Sequence, residues 1–194
     1  MSVTIVFRKR HALGGLFLLV LGVFAVGALT APAPSQATTT TYTRTASCAG
    51  LDFYPTDSAT DYANYATLRV RTSNAGTGVF RCDPGLPNRA VVTKVLFTLE
   101  DGSVSGNVGP CSLVRSGLTI AGAKVAVQMA SVPETGQYVY PGTVRPADTT
   151  IVSPMIDNSL YGYWLECSTW GYGGGPLFGI YGASVVYTIT TADG

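Results

Sequence analysis

The residues best suited to chemistry in this chain are four cysteines, Cys48, Cys82, Cys111 and Cys167, and a single histidine, His11. The cysteines form no Cys-x-x-Cys pair, and a zinc site made of four dispersed thiolates without histidine would be unusual. An even number of cysteines behind an export leader is typical of disulfides. Three pairings are possible, and the one we favour joins Cys48 to Cys82 and Cys111 to Cys167. No metal or other cofactor is predicted.

We expect no acid–base catalysis by histidine in the mature protein, because His11 lies within residues 1–37, which are predicted below to be a removable export signal. Glycoside hydrolysis needs only two carboxyl groups at the right separation. The candidate carboxylates lie in turns, loops and on outer strand faces, and the pattern brings no two of them together: Asp52, Asp57, Asp61, Glu100, Glu134, Asp157 and Glu166. We therefore predict no catalytic residue and no enzymatic activity, and a carboxylate-dependent glycoside hydrolase is the second alternative.

Aromatic residues are concentrated near the C-terminus, around a glycine-rich loop at 171–175. Trp170, Tyr172 and Tyr181 are the candidate contacts for a ligand or partner, because aromatic rings can stack on sugars or centre a self-association surface. In the competing interpretation, which we favour, these aromatics cap one end of the fold, since large aromatics usually serve the core first.

The first 37 residues have the three parts of an export signal. A cationic stretch, Arg8–His11, precedes an uncharged apolar run from Ala12 to about Leu29, and small residues end at Ala37. We predict a signal peptide at 1–37 and a secreted, extracellular protein. A membrane-tethered protein with an uncleaved leader is the alternative, because the apolar run approaches the length that spans a bilayer.

The remaining chain is sparsely charged, with nine basic and eleven acidic residues and a net charge of −2. A nucleic-acid partner, which would require a dense basic surface, is therefore not expected. Residues 38–47 are a threonine-rich segment that we interpret as a flexible lead-in or an edge strand. Residues 48–191 form the single predicted domain.

Alternating apolar residues between turn-forming residues predict strands throughout this domain. Val95, Phe97 and Leu99 share one face of one strand, and Tyr163, Leu165 and Cys167 share one face of another. Further strands are predicted at 50–54, 67–72, 110–115, 124–129, 150–156 and 183–189, with Val125, Val127 and Met129 pointing inward. About eight short strands indicate an all-β fold, an antiparallel two-sheet sandwich of jelly-roll type.

The segments Met155–Leu165 and Ile180–Tyr187 resemble the C-terminal half of a family of secreted bacterial proteins of uncharacterised function. That family has an Asp-Asn-x-x-Tyr-x-Tyr-x-Leu strand and a closing Gly-x-x-Val-x-Tyr strand. Leu86–Leu99 and Phe53–Pro55 are similar to its earlier strands. The resemblance implies a two-sheet fold and export, and it offers no catalytic residues.

The main functional prediction is a secreted, non-catalytic structural or surface-interaction module, with self-association or a cell-surface glycan as partner. A carbohydrate-binding, lectin-like module that uses Trp170, Tyr172 and Tyr181 is the first alternative. A membrane contact is expected only through an uncleaved leader.

Overall fold

A computed structural model describes residues 38–57, 62–65, 69–72, 76–101, 107–118, 122–135, 142–171 and 178–192. The predicted signal helix within 1–37 lies outside these residues. None of the helical structure in the described part is long and apolar enough to cross a membrane.

The described chain is almost entirely extended. Its elements are β1 (Thr39–Ala49), a 3-10 turn (Gly50–Asp52), β2 (Tyr54–Pro55), β3 (Tyr62–Tyr65), β4 (Arg69–Thr72), β5 (Gly76–Cys82), β6 (Val91–Asp101), β7 (Asn107–Leu118), β8 (Lys124–Val132), β9 (Gly142–Val144), β10 (Ala147–Asp148), β11 (Tyr161–Gly171) and β12 (Phe178–Ala192).

These strands form two antiparallel sheets, so the predicted two-sheet sandwich is confirmed. Sheet A is built on β6 and β12: β9 and β10 pair with β6, β1 and β4 pair with β12, and β3 pairs with β4. Sheet B has the order β2-β5-β11-β7-β8. The chain passes from sheet to sheet between β5, β6 and β7 and again between β10, β11 and β12, so neighbouring strands within a sheet are often distant in sequence.

The core lies between the sheets and consists of the inward residues of the alternating strands. Val95, Phe97 and Leu99 on β6 are fully buried, as their spacing predicts. On β11, Leu165 and Cys167 are fully buried and Tyr163 is nearly so. Each sheet therefore buries one face, which leaves alternate residues of the same strands for the surface.

Both disulfides have the favoured pairing, and all four cysteines are buried. Cys48 on β1 of sheet A bonds to Cys82 on β5 of sheet B, so this bridge links the two layers. Cys111 and Cys167 lie directly opposite each other on β7 and β11 and join neighbouring strands. Two disulfides fit an extracellular, oxidising compartment.

A glycine allows the strand that carries Cys48 to lie close to its neighbour. Gly182 on β12 has a φ of 157°, and a Cβ atom built on it would lie 2.7 Å from the carbonyl oxygen of Cys48. A Cβ atom does not fit at that distance, so the close pairing of β1 and β12 at this point requires glycine.

At the N-terminal end of the domain the structure has the edge strand, one of the two interpretations of segment 38–47, and not the flexible lead-in. The segment lies almost wholly in β1, which pairs with β12 along its full length. Threonine is β-branched and suits this half-exposed edge. Of the predicted strand at 50–54, residues 50–52 form a 3-10 turn, and β2 has only two residues.

Two other strand predictions also need correction. Residues 150–156 form a loop that makes a single bridge, from Met155 to Val91. In β8, Val125 is exposed and Val127 is half-buried, whereas Met129 and Ala130 are both buried. A register shift opposite Leu113 and Val114 interrupts the pairing of β8, so inward and outward residues do not alternate strictly along this strand.

A buried polar cluster connects the end of β6 to the start of β7. Asp101 is only 4% exposed, and its Oδ2 accepts a hydrogen bond from the hydroxyl of Thr135. Thr135 Oγ1 in turn accepts from the backbone N–H of Val108 at 3.0 Å, and the N–H of Thr135 donates to the Val108 carbonyl at 2.8 Å. Thr135 therefore satisfies buried groups on both strands.

We predict that Thr135→Val destabilises the fold by about 1–3 kcal/mol, because it leaves the buried Val108 N–H without its acceptor and removes the Thr135 hydroxyl from the Asp101 carboxylate. Chemical denaturation measures the change. Thr143→Val, on the exposed surface of β9, is the control and should change the free energy of unfolding by less than about 0.5 kcal/mol. Equal effects of the two substitutions would contradict a structural role for this cluster.

We also predict that the Cys48→Ala/Cys82→Ala double variant lowers the free energy of unfolding by about 3–4 kcal/mol, because the 34-residue loop no longer restricts the unfolded chain. Denaturant unfolding under non-reducing conditions measures it. A decrease in the free energy of unfolding of less than about 1 kcal/mol would contradict the prediction, because the sheets would then stay joined without the Cys48–Cys82 disulfide.

Candidate functional site

The outer face of sheet B carries an aromatic and charged cluster at its centre. Trp164 and Glu166 alternate with the buried Leu165 and Cys167 on β11, so their side chains lie on the surface side. Arg81 on β5 lies directly opposite Glu166, and Tyr54 on β2 lies directly opposite Arg81. We call Tyr54, Arg81, Trp164 and Glu166 the sheet B face.

Three of these side chains are locked together. Arg81 Nε donates to Glu166 Oε2 at 2.6 Å, and the Arg81 guanidinium carbon lies 4.7 Å from the centroid of the Trp164 ring. The indole Nε1–H of Trp164 donates to the same Glu166 oxygen at 3.3 Å. The ion pair and the cation–π contact together fix the orientation of the indole.

Polar groups extend this surface across the remaining strands. Ser112 on β7 lies opposite Glu166, and Gln128 on β8 lies opposite Val114, the residue paired with Trp164. The side-chain amide of Gln128 donates to the hydroxyl of Ser112. Tyr54, on the other flank, is 56% exposed. The face thus combines aromatic rings with hydroxyl, amide, guanidinium and carboxylate groups.

The residues predicted from sequence as ligand contacts do not form this cluster. Trp170 lies near the end of β11, opposite Thr77 and Asn107, and Tyr172 lies outside the described residues. Tyr181 belongs to sheet A, where its half-buried hydroxyl donates to the carboxylate of Glu100. A role of these three residues in binding stays a prediction.

Sequence analysis placed Glu166 on the outer face of its strand but missed Trp164. The signal was present, because Trp164 and Glu166 are two residues apart and must share a face. The contribution of Arg81 could not be found in the same way, since its position opposite Glu166 depends on the register of strands 85 residues apart in sequence.

A second polar surface lies where the turn at 86–90 meets the loop at 154–160. Two backbone hydrogen bonds join the segments: the Arg89 N–H donates to Ile156 O and the Ile156 N–H donates to Ala90 O, both at 2.8 Å. Asn158 adds two bonds: its N–H donates to Asn88 Oδ1 at 3.0 Å and its side-chain amide donates to Leu86 O at 2.9 Å. The two segments therefore form one rigid unit.

Asp157 and its neighbours close this loop. Asp157 Oδ1 accepts from the backbone N–H and the hydroxyl of Ser159, so the aspartate side chain initiates a turn. The hydroxyl of Tyr163 accepts from the N–H of Asp157 at 2.8 Å. Hydrogen bonds from Ser159, side chain first and backbone second, hold the pKa of the Asp157 carboxyl below its ordinary value.

A groove of about 360 Å³ lies along this unit, lined by Asn88, Arg89, Met155, Ile156, Asp157 and Ser159. We call it the end groove. Ile156 is buried and forms an apolar part of its lining, while the other side chains except Met155 are polar. Among the residues that the structure describes, no group of three or more His, Cys, Asp or Glu side chains is placed to hold a metal ion.

No protein-family model matches this chain, and no curated protein matches it. The resemblance to an uncharacterised secreted bacterial family therefore stays a prediction.

Several solved structures are similar to this chain. The carbohydrate-binding module CBM35 from Cellvibrio japonicus Abf62 is 16% identical, with a TM-score of 0.37 over 79% of this chain and 99% of that one. CBM35 from Paenibacillus barcinonensis is 15% identical, with a TM-score of 0.30 over 79% and 99%. TmCBM61, solved with β-1,4-galactotriose, is 12% identical, with a TM-score of 0.28 over 73% and 87%. These values assign no ligand to this chain.

The main functional prediction nevertheless requires correction. All three of these structures are carbohydrate-binding modules, which is the class of the alternative prediction and not that of the main one. The sequence pattern pointed to Trp170, Tyr172 and Tyr181, whereas the half-buried Trp164 and the exposed Tyr54 lie on the outer face of sheet B.

We predict that Asp157→Asn reduces the acid sensitivity of the fold. A lowered folded-state pKa means that the ionised carboxyl contributes stability above about pH 4, and that this contribution is lost as the pH falls through the lowered pKa. The free energy of unfolding is measured at pH 6 and at pH 2.5. Its decrease between these two pH values should therefore be smaller in the variant than in the wild type. Equal decreases would contradict the role of the Ser159 hydrogen bonds.

Proposed function

We propose that this protein is a carbohydrate-binding module that holds an oligosaccharide against the sheet B face. The observation that carries the proposal is the half-buried Trp164 indole, fixed by Arg81 and Glu166 on the outer face of sheet B. Tyr54 supplies a second, exposed ring two strands away. Neighbouring strands are about 4.8 Å apart, so the backbones of β2 and β11 are about 10 Å apart.

A sugar presents two kinds of surface, and this face offers a partner for each. The C–H groups of a pyranose ring pack against the flat face of an aromatic ring. Sugar hydroxyls both donate and accept, and Arg81, Glu166 and Gln128 supply charged and neutral partners. Planar guanidinium and carboxylate groups can each engage two neighbouring hydroxyls.

The internal contacts of the sheet B face favour binding by reducing its entropic penalty. Trp164 already touches both Arg81 and Glu166, so these three side chains lose little freedom when a ligand arrives. Their backbones lie on the paired strands β5 and β11, which Cys82 and Cys167 connect through disulfides to β1 and β7. A rigid platform of this kind suits recognition of an extended, repetitive polymer.

The proposal includes an extracellular location after removal of residues 1–37, with a cell-surface or environmental glycan as partner. It also includes the absence of catalysis, because Glu166, the carboxylate of this face, is committed to Arg81 and Trp164. Self-association stays a separate prediction.

The test is a glycan array probed with the purified, disulfide-bonded protein. We expect binding to a subset of plant or microbial oligosaccharides, and Trp164→Ala should weaken it at least about tenfold through loss of the stacking ring. Tyr42→Ala is the matched control, because Tyr42 is an exposed tyrosine with its own arginine contact, from Arg44, but lies on sheet A. Thermal melting of each variant verifies folding.

Two outcomes would contradict the proposal. One is the absence of binding to every oligosaccharide tested. The other is binding that survives Trp164→Ala but is lost in Tyr42→Ala, which would place the ligand on sheet A.

A further inference from the structure

We infer that the end groove is a second binding site, specific for a single sugar unit with adjacent hydroxyl groups. The groove lies between the turn at 86–90 and the loop at 154–160, apart from the side chains of the sheet B face. The inference goes beyond the proposed function, because the groove can bind a sugar whether or not the sheet B face does.

The first observation behind it is the backbone of Arg89. Its φ is +66°, in the left-handed region that glycine and asparagine adopt readily and other residues rarely do. Backbone strain of this kind concentrates at ligand sites, where the surrounding structure holds the residue in place. Here the surrounding structure is the Arg89 N–H bond to Ile156 O and the Ala90 N–H bond to Pro87 O. An arginine at a position that suits glycine indicates that its side chain is needed.

The second observation is that the Arg89 side chain shares the groove with a carboxylate and two uncharged polar side chains. Arg89 is exposed, and its guanidinium makes no ion pair or hydrogen bond with the residues that the structure describes. Asp157 lines the same groove and is ionised at neutral pH, since its pKa is lowered. Asn88 and Ser159 add an amide and a hydroxyl.

The charges of the groove select the ligand class. An anion would meet the Asp157 carboxylate, and a cation would meet the Arg89 guanidinium. A neutral diol avoids both repulsions, because one hydroxyl can donate to Asp157 while its neighbour accepts from Arg89. Met155, which is 62% exposed, offers an apolar surface for the C–H groups of the ring.

The size and rigidity of the groove limit the ligand to one unit. Small-molecule sites begin at about 300 Å³, and the groove measures about 360 Å³. The backbone and side-chain bonds between the two segments hold its walls before a ligand arrives, which lowers the entropic penalty of binding. A free monosaccharide or the end of a glycan chain fits these limits.

The experiment is a saturation-transfer NMR titration of the purified protein with D-glucose, D-galactose, D-mannose, D-xylose and L-arabinose, with L-alanine and inorganic phosphate as other ligand classes. We expect at least one sugar to bind with millimolar affinity. Arg89→Gly should weaken that binding at least tenfold and raise the melting temperature by about 2–4 °C, because it relieves the backbone strain. Loss of function with a gain in stability is not the result of misfolding.

Three further variants make the result specific. Arg89→Lys keeps the charge and the backbone but removes the two-pronged donor, and it should also weaken binding. Arg145→Ala changes an exposed arginine in the β9–β10 turn and should have no effect. Repeating the titration and the Arg89→Gly comparison in Trp164→Ala protein removes the contribution of the sheet B face, so failure of the sheet B face and failure of the end groove are distinguishable.

The inference is overturned if none of the five sugars binds, or if binding persists in Arg89→Gly. Tighter binding of L-alanine or phosphate than of any sugar would also overturn it, because the charges of Arg89 and Asp157 would then select a zwitterion or an anion.

Discussion

The constraint on which this structure depends is the period-two alternation of β11 at the centre of sheet B. One set of its side chains, including Leu165 and Cys167, fills the core and anchors a disulfide. The intervening set, Trp164 and Glu166, lies on the surface and meets Arg81. A slip of one residue in register would exchange the two sets, bury an ion-paired carboxylate and expose the disulfide. The stability of the core and the chemistry of the surface are therefore specified by the same strand.

The two disulfides stabilise the position of that strand in different ways. Cys111–Cys167 lies within sheet B and joins β11 to β7, while Cys48–Cys82 links the neighbouring β5 to the opposite sheet. Arg81 immediately precedes Cys82, so the residue that orients Trp164 lies next to the anchor between the layers. This arrangement explains how a sparsely charged domain keeps a guanidinium, a carboxylate and an indole in fixed positions on an open face.

The fold and the site differed in how far the sequence could predict them. Alternation predicted the buried faces of β6 and β11, and the favoured cysteine pairing is the one observed. Local pattern failed where tertiary contacts override it, as in β8, where a register shift buries Met129 and Ala130 together. The surface cluster required knowledge of which strands are neighbours, because Arg81 and Glu166 meet only through sheet register. The end groove likewise depends on Asn158 bonding to a turn 70 residues earlier.

The most direct test of carbohydrate recognition on sheet B is a ¹⁵N NMR titration with an oligosaccharide, following the indole Nε1–H of Trp164, which donates to Glu166 in the free protein. The account predicts that this resonance and the amides of β5 and β11 shift together, saturably, while the amides of β1 do not. Shifts confined to β1 and β12, with the Trp164 indole unchanged, would contradict it.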